Sequence, residues 1–210
     1  MAKLQIAIDL LTTADALALA EKVAPYIDII ELGTPLIKSE GLSVITAMKN
    51  AFPNKIVFAD FKTADAGGLE AEMAFKAGAD LITILGATGN ATIEGAVKVA
   101  KQYGKGVVVD TIGSPDRVKR AQEVTELGVE FVELHAGLDE QAQPGYSIQV
   151  LIDEAARVGV PVSIAGGVNI NNIAAVKKSG VKVAVAGAAI YGAEDPAAAA
   201  KALREALDAA

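Results

Sequence analysis

Eight short runs rich in Val, Ile, Leu and Phe recur along the chain, separated by segments of helical character. The runs are Leu4–Asp9, Ile27–Leu32, Ile56–Phe61, Leu81–Ile84, Val107–Thr111, Phe131–His135, Val162–Ala165 and Val183–Ala186, and each reads as a buried strand. Helical segments between them include Thr13–Ala24, Gly67–Ala77, Thr92–Tyr103, Pro115–Leu127, Ile148–Val158 and Asn171–Ser179. Thr12 or Thr13 is placed to cap the first helix, and Ser114 before Pro115 reads as a cap with proline at the first helical position. Gly78, Gly104, Gly128, Gly159 and Gly180 each follow a helical segment, where glycine takes the left-handed conformation that ends a helix. Strands that start about every 25 residues, with helices between, predict a parallel sheet. Eight such units favour closure into a (β/α)8 TIM barrel over an open, doubly wound sheet.

The length of 210 residues sits at the lower end for one such barrel, and no linker, low-complexity tract or charge block divides it. Residues 1–210 therefore read as a single barrel domain. Small aliphatic residues dominate the hydrophobic fraction and aromatics make up only 4%. That suits a sheet buried on both faces and wrapped by Ala-rich helices.

Charge and cysteine content exclude several classes of function. The net charge is −7, with 19 Lys and Arg against 26 Asp and Glu, and no basic stripe of the kind that grips nucleic acid is present. Cysteine is absent, which removes disulfides, thiolate nucleophiles and Cys-ligated zinc, and fits a reducing compartment. Asp9 and Asp15 interrupt the apolar N-terminal stretch, so it does not read as a signal peptide. No later stretch is long and charge-free enough for a transmembrane helix. The expectation is a cytoplasmic protein with no membrane partner.

In a (β/α)8 barrel the chemistry sits at the C-terminal ends of the strands, and the polar residues concentrate there. Asp9 ends the first run, Glu31 lies near the end of the second, and Asp60 and Lys62 close the third. Asp110 and His135 end the fifth and sixth. One strand-end carboxylate is readily a turn or cap residue; several on one face repel one another unless a cation lies among them. Lys62 supplies one charge, and a hard divalent ion such as magnesium would supply the rest. Asp60-Phe61-Lys62-Thr63-Ala64-Asp65 has the pattern DxKxxD. Strand alternation puts Asp60 and Lys62 on one side of the sheet, with Asp65 just beyond, where the next helix begins. Taken alone, the pattern also suits a capped helix start with an incidental ion pair. His135 is the only histidine, and its near-neutral pKa suits general acid–base work. Ala165-Gly166-Gly167 and Ala186-Gly187-Ala188 follow the last two strands, where barrels often bind phosphate through backbone N–H groups. Tight turns are the plainer reading of the same glycines.

Taken together, IAIDL, IIELGTP, FADFKTADAG, VVVDTIG, VELHAGLDEQ, IAGGV and VAGAAIYG resemble the 3-hexulose-6-phosphate synthases, end to end and in order. These belong to the orotidine 5′-monophosphate decarboxylase suprafamily, which also includes the 3-keto-L-gulonate 6-phosphate decarboxylases. The resemblance implies a magnesium-dependent aldolase, with manganese as a substitute ion, that joins formaldehyde to D-ribulose 5-phosphate. It implies Glu31 and Asp60 as metal ligands, and Asp9, Lys62 and Asp65 as substrate contacts. Asp110 and His135 take the acid–base positions, and Gly166, Gly167, Gly187 and Ala188 the phosphate loop. It further implies a homodimer with shared active sites, in which Asp65 reaches into the neighbouring subunit. Three positions depart from the decarboxylase branch: Asp110 stands where that branch has Glu, and Leu138 and Ala188 stand where it has Arg.

Overall fold

The computed structural model describes residues 2–210. In chain order its elements are β1 (Lys3–Ile8), α1 (Thr13–Val23), β2 (Ile29–Leu32), α2 (Thr34–Glu40), α3 (Ser43–Ala51), β3 (Ile56–Thr63) and α4 (Gly67–Ala77). They continue with β4 (Leu81–Leu85), α5 (Asn90–Tyr103), β5 (Gly106–Asp110), α6 (Arg117–Thr125), β6 (Phe131–His135), α7 (Leu138–Gln141) and α8 (Gln149–Val158). The last are β7 (Val162–Ala165), α9 (Ile173–Lys178), β8 (Val183–Ala186), α10 (Ala188–Tyr191) and α11 (Pro196–Ala209). Every strand pairs in parallel with its sequence neighbour, and β8 returns to β1, so the sheet closes. The expected (β/α)8 barrel is the fold.

Alternation along the strands divides the core in two. Inward residues, among them Ile29, Phe58, Leu81, Val108, Phe131 and Val183, fill the barrel. Outward residues such as Ile30, Val57, Ile82 and Val107 pack against the helices in a second, larger cluster. Burial on both faces explains why the strands read as unbroken aliphatic runs. Among the described residues, no helix is long and apolar enough to cross a membrane.

Local sequence signals match some element boundaries and not others. Thr12 caps α1 by accepting from the Asp15 N–H, and Gly78, Gly104, Gly128, Gly159 and Gly180 all have positive φ. The cap of α6 is Asp116, which accepts from the Lys119 N–H, so that helix starts two residues after Pro115 and Ser114 does not cap it. β1 ends at Ile8, leaving Asp9 in the loop, and a single 3-10 turn (Ala24–Tyr26) delays β2 until Ile29. β3 runs on to Thr63, which brings Lys62 into the strand.

Candidate active site

The C-terminal mouth of the barrel is built around an irregularity in β3. Ala59 pairs with Ile82 and Thr63 with Ile84, so Asp60, Phe61 and Lys62 together stand opposite Thr83 alone. This bulge has Lys62 at φ 49°, a left-handed conformation that a lysine adopts at a cost of about 1 kcal/mol or more. Thr83 holds it: its hydroxyl accepts from the Lys62 N–H at 3.0 Å and donates to Asp60 Oδ1 at 2.7 Å. Asp60 and Lys62 therefore do converge, as alternation suggests, but across a bulge and not along a regular strand. The Lys62 ammonium lies 2.8 Å from Asp60 Oδ2, which also accepts from the Thr34 hydroxyl at 2.7 Å.

From Lys62 the ionic contacts continue across the mouth. Asp110 Oδ2, fully buried, lies 2.9 Å from Lys62 Nζ and 2.8 Å from His135 Nδ1. Its Oδ1 accepts from the Ile112 N–H. Burial alone raises a carboxyl, yet the His135 ring and Lys62 ammonium outweigh it and hold Asp110 down at about 2. Burial pulls Lys62 down, but Asp60, Asp110, Glu133 and Glu31 more than reverse this, so it stays charged. His135 is likewise lowered by burial and raised more strongly by Asp110, ending above the ordinary imidazole value. An ionised Asp110 accepts a hydrogen bond from Nδ1–H, which leaves Nε2 as the ring's exchanging atom.

Three further carboxyls lie where burial and like charge oppose their ionisation. Glu31 accepts from Gln5 Nε2 at 2.7 Å through Oε2, while no described residue donates to Oε1. Burial, then Glu133 and Asp60, drive Glu31 well above the carboxylate range. Glu133 accepts from the Ser163 hydroxyl at 3.2 Å and lies 3.8 Å from His135 Nδ1; burial and Asp110 push it to about 7. Asp9 is raised by burial and by Asp60. Gly33 lets Asp9 approach, since a Cβ there would lie 2.1 Å from Asp9 Oδ1. An oxygen-rich, negatively overloaded mouth matches the chemistry of a hard divalent cation. Glu31 and Asp60, on adjacent strands and facing one cleft, fit such an ion, and Glu31 has an uncommitted oxygen. The tightest group of possible ligand atoms is a different one, Asp110, Glu133 and His135, within 4.8 Å of one another. Within it Asp110 and His135 bond each other, as Asp60 in the other pair bonds Lys62, Thr34 and Thr83.

The cleft has a volume of about 790 Å³, and its walls carry Asp9, Glu31, Asp60, Lys62, Glu133 and His135. A second cavity of about 430 Å³ adjoins it at Asp9 and His135, and Gly166, Gly167, Gly187 and Ala188 line it. Nine of the eleven positions singled out from sequence thus line these cavities, and Asp110 lies directly behind, bonded to two of them. Asp65 does not join them. Its carboxylate turns back to accept from the Ala66 N–H, and it borders a separate recess between α4 and α5. Sequence reasoning misses Glu133, Gln5, Thr83 and Ser163. All four are polar side chains at inward positions of aliphatic strands, and Glu133, two residues before His135, is the most visible of them.

Residues 2–203 match the sequence model of the Orotidine 5'-phosphate decarboxylase / HUMPS family. A 3-hexulose-6-phosphate synthase from Mycobacterium gastri is 64% identical over 205 residues, covering 98% of this chain and 99% of that protein. A crystal structure of a 3-hexulose-6-phosphate synthase superposes with TM-score 0.96 at 65% identity, covering 98% of this chain and 99% of that one. KGPDC from Streptococcus mutans, solved as a complex with a ligand, superposes with TM-score 0.92 at 26% identity over 99% of this chain and 98% of its own. The chain is an enzyme of the orotidine 5′-phosphate decarboxylase / HUMPS family, and within it sides with the 3-hexulose-6-phosphate synthases.

Proposed function

We propose that the enzyme joins formaldehyde to D-ribulose 5-phosphate, forming D-arabino-hex-3-ulose 6-phosphate, with a magnesium ion held by Glu31 and Asp60. The observation that carries this reading is the joined pair of cavities, one lined by carboxylates, Lys62 and His135, the other by backbone at Gly166, Gly167 and Gly187. A bound magnesium or manganese ion would supply Lewis-acid polarisation of the ketose oxygens. His135 Nε2 takes the proton from C1, and Asp110 stabilises the imidazolium that results. A cation held by Glu31 and Asp60 would neutralise part of the surrounding carboxylate charge and so favour the neutral form of His135 that this step requires. The C1–H electron pair becomes the enediolate, and Lys62 places its ammonium beside the developing oxyanion. C1 then bonds to the formaldehyde carbon, and the new alkoxide recovers the proton from His135. Lys62 is a poor candidate for Schiff-base formation, because Asp60 and Asp110 keep it protonated.

The phosphate end of the substrate is assigned to the smaller cavity, where Ala188 leaves the anion to backbone donors. Because Asp65 stands outside its own cleft, we assign it to the site of a partner subunit in a homodimer, with exposed Leu69 and Met73 of α4 near the contact. The absence of cysteine suits work in the cytoplasm. The test is a product assay with ribulose 5-phosphate, formaldehyde and magnesium, repeated with chelator and with Asp60→Ala. Hexulose phosphate formation that chelator and the variant both abolish supports the reading. Carbon dioxide release from 3-keto-L-gulonate 6-phosphate, with no uptake of formaldehyde, would refute it in favour of a decarboxylase.

A further inference from the structure

The backbone of the smaller cavity is held in place from behind. The Gly166 carbonyl accepts from the Tyr146 hydroxyl at 2.6 Å. The Gly167 carbonyl accepts from Asn169 Nδ2 at 3.0 Å and from Asn172 Nδ2 at 2.9 Å. In a planar trans peptide the carbonyl of one residue and the N–H of the next point in opposite directions. Tying the Gly166 carbonyl to Tyr146 therefore turns the Gly167 N–H away from Tyr146, and tying the Gly167 carbonyl to the two asparagines does the same for the Val168 N–H. The cavity wall contains Gly166, Gly167, Val168 and also Asn169, but neither Tyr146 nor Asn172. Neither of these N–H groups donates to an acceptor among the described residues. The Gly167 N–H is thus left on the cavity side, while the carbonyl of its own peptide is fixed behind it by Tyr146.

The ties act on a loop whose two glycines are in conformations that few other residues adopt. Gly166 has φ 129° and Gly167 φ 92°, a region where glycine backbone is least restrained. Tyr146 lies in the loop between α7 and α8, in the segment that leaves β6 directly after His135. Gln141 anchors the same segment by donating to the Ala136 carbonyl at 2.8 Å.

We propose that Tyr146 is a positioning residue for anion binding: its hydroxyl fixes the Gly166–Gly167 peptide so that the Gly167 N–H meets the substrate phosphate. The inference rests on reading this cavity as the phosphate end of a sugar-phosphate site. Tyr146 also packs its ring against the core, so a role limited to packing is the competing account.

Tyr146→Phe keeps the ring and removes only the hydroxyl. In the full-length enzyme, one lost hydrogen bond should raise both the KM for ribulose 5-phosphate and the inhibition constant of inorganic phosphate by about fivefold. Without a change in the reacting groups, kcat and the KM for formaldehyde should stay within about twofold. Unchanged phosphate inhibition in the variant, beside clear inhibition of the wild type, overturns the tether, whatever happens to the melting temperature. If inorganic phosphate fails to inhibit the wild type at all, the phosphate-end reading falls and takes the tether with it.

Discussion

Asp110→Asn isolates the charge at the centre of the mouth while keeping its shape. The carboxyl is held at about 2 against an ordinary 3.8, which corresponds to about 2 kcal/mol of stability for the ionised, folded form. Because the folded value is depressed, this contribution is present in full above about pH 4 and is lost as pH falls toward 2. The variant should therefore unfold about 2 kcal/mol more easily at pH 7, which lowers the urea midpoint by about 1 M at a slope of about 2 kcal/mol per molar. At about pH 3.5 the difference should have begun to close. The same change removes the main group raising His135 and leaves its burial, so the imidazole should titrate lower than in the wild type. The acid limb of the pH–rate profile should move to lower pH accordingly. Equal urea midpoints for the two proteins at both pH values would show that Asp110 carries no such charge interaction, and the ionic chain from Lys62 to His135 would be wrong.

Other perturbations probe the neighbouring groups. Lys62→Met leaves Asp60 and Asp110 buried without their shared cation, and thermal or urea unfolding should report a loss of about 3–5 kcal/mol, with turnover reduced at least about 100-fold. Glu133 is raised to about 7 from 4.5, so ionising it in the folded state costs stability that grows as pH climbs from about 4.5 to about 7. Glu133→Gln should accordingly unfold later than wild type at about pH 8, by about 3 kcal/mol in chelator, and show no gain at about pH 4. Gly166→Ala places a Cβ 2.7 Å from the Ala136 carbonyl oxygen at φ 129°; melting should show a loss of about 1–3 kcal/mol, and affinity for inorganic phosphate should fall in calorimetry.

Much of this site can be read from sequence because a barrel converts strand order into position. Once eight strands are recognised, Asp9, Glu31, Asp60, Asp110 and His135 have to gather at one mouth, whatever the details of their loops. Glu133 escapes a search of strand ends because it lies one inward step deeper on β6. Its burial is legible from alternation with His135; its contact with Ser163 is not, since that depends on the β6–β7 register. The displaced cap at Asp116 reflects a local competition between two side chains that both suit a helix start, Ser114 and Asp116. Tyr146 gives no signal at all, because its partner is a carbonyl 20 residues away, brought near only when the barrel closes.

The bulge in β3 inserts two residues between Ala59 and Thr63 relative to β4. Two is an even number, so the inside–outside parity of the strand is the same before and after it: Ala59 and Thr63 both face the helices, opposite Ile82 and Ile84. An odd insertion would have turned every later side chain to the wrong face. A two-residue excess of this kind therefore leaves the packing of β3 on the helices, and the core it belongs to, in phase on both sides of the bulge.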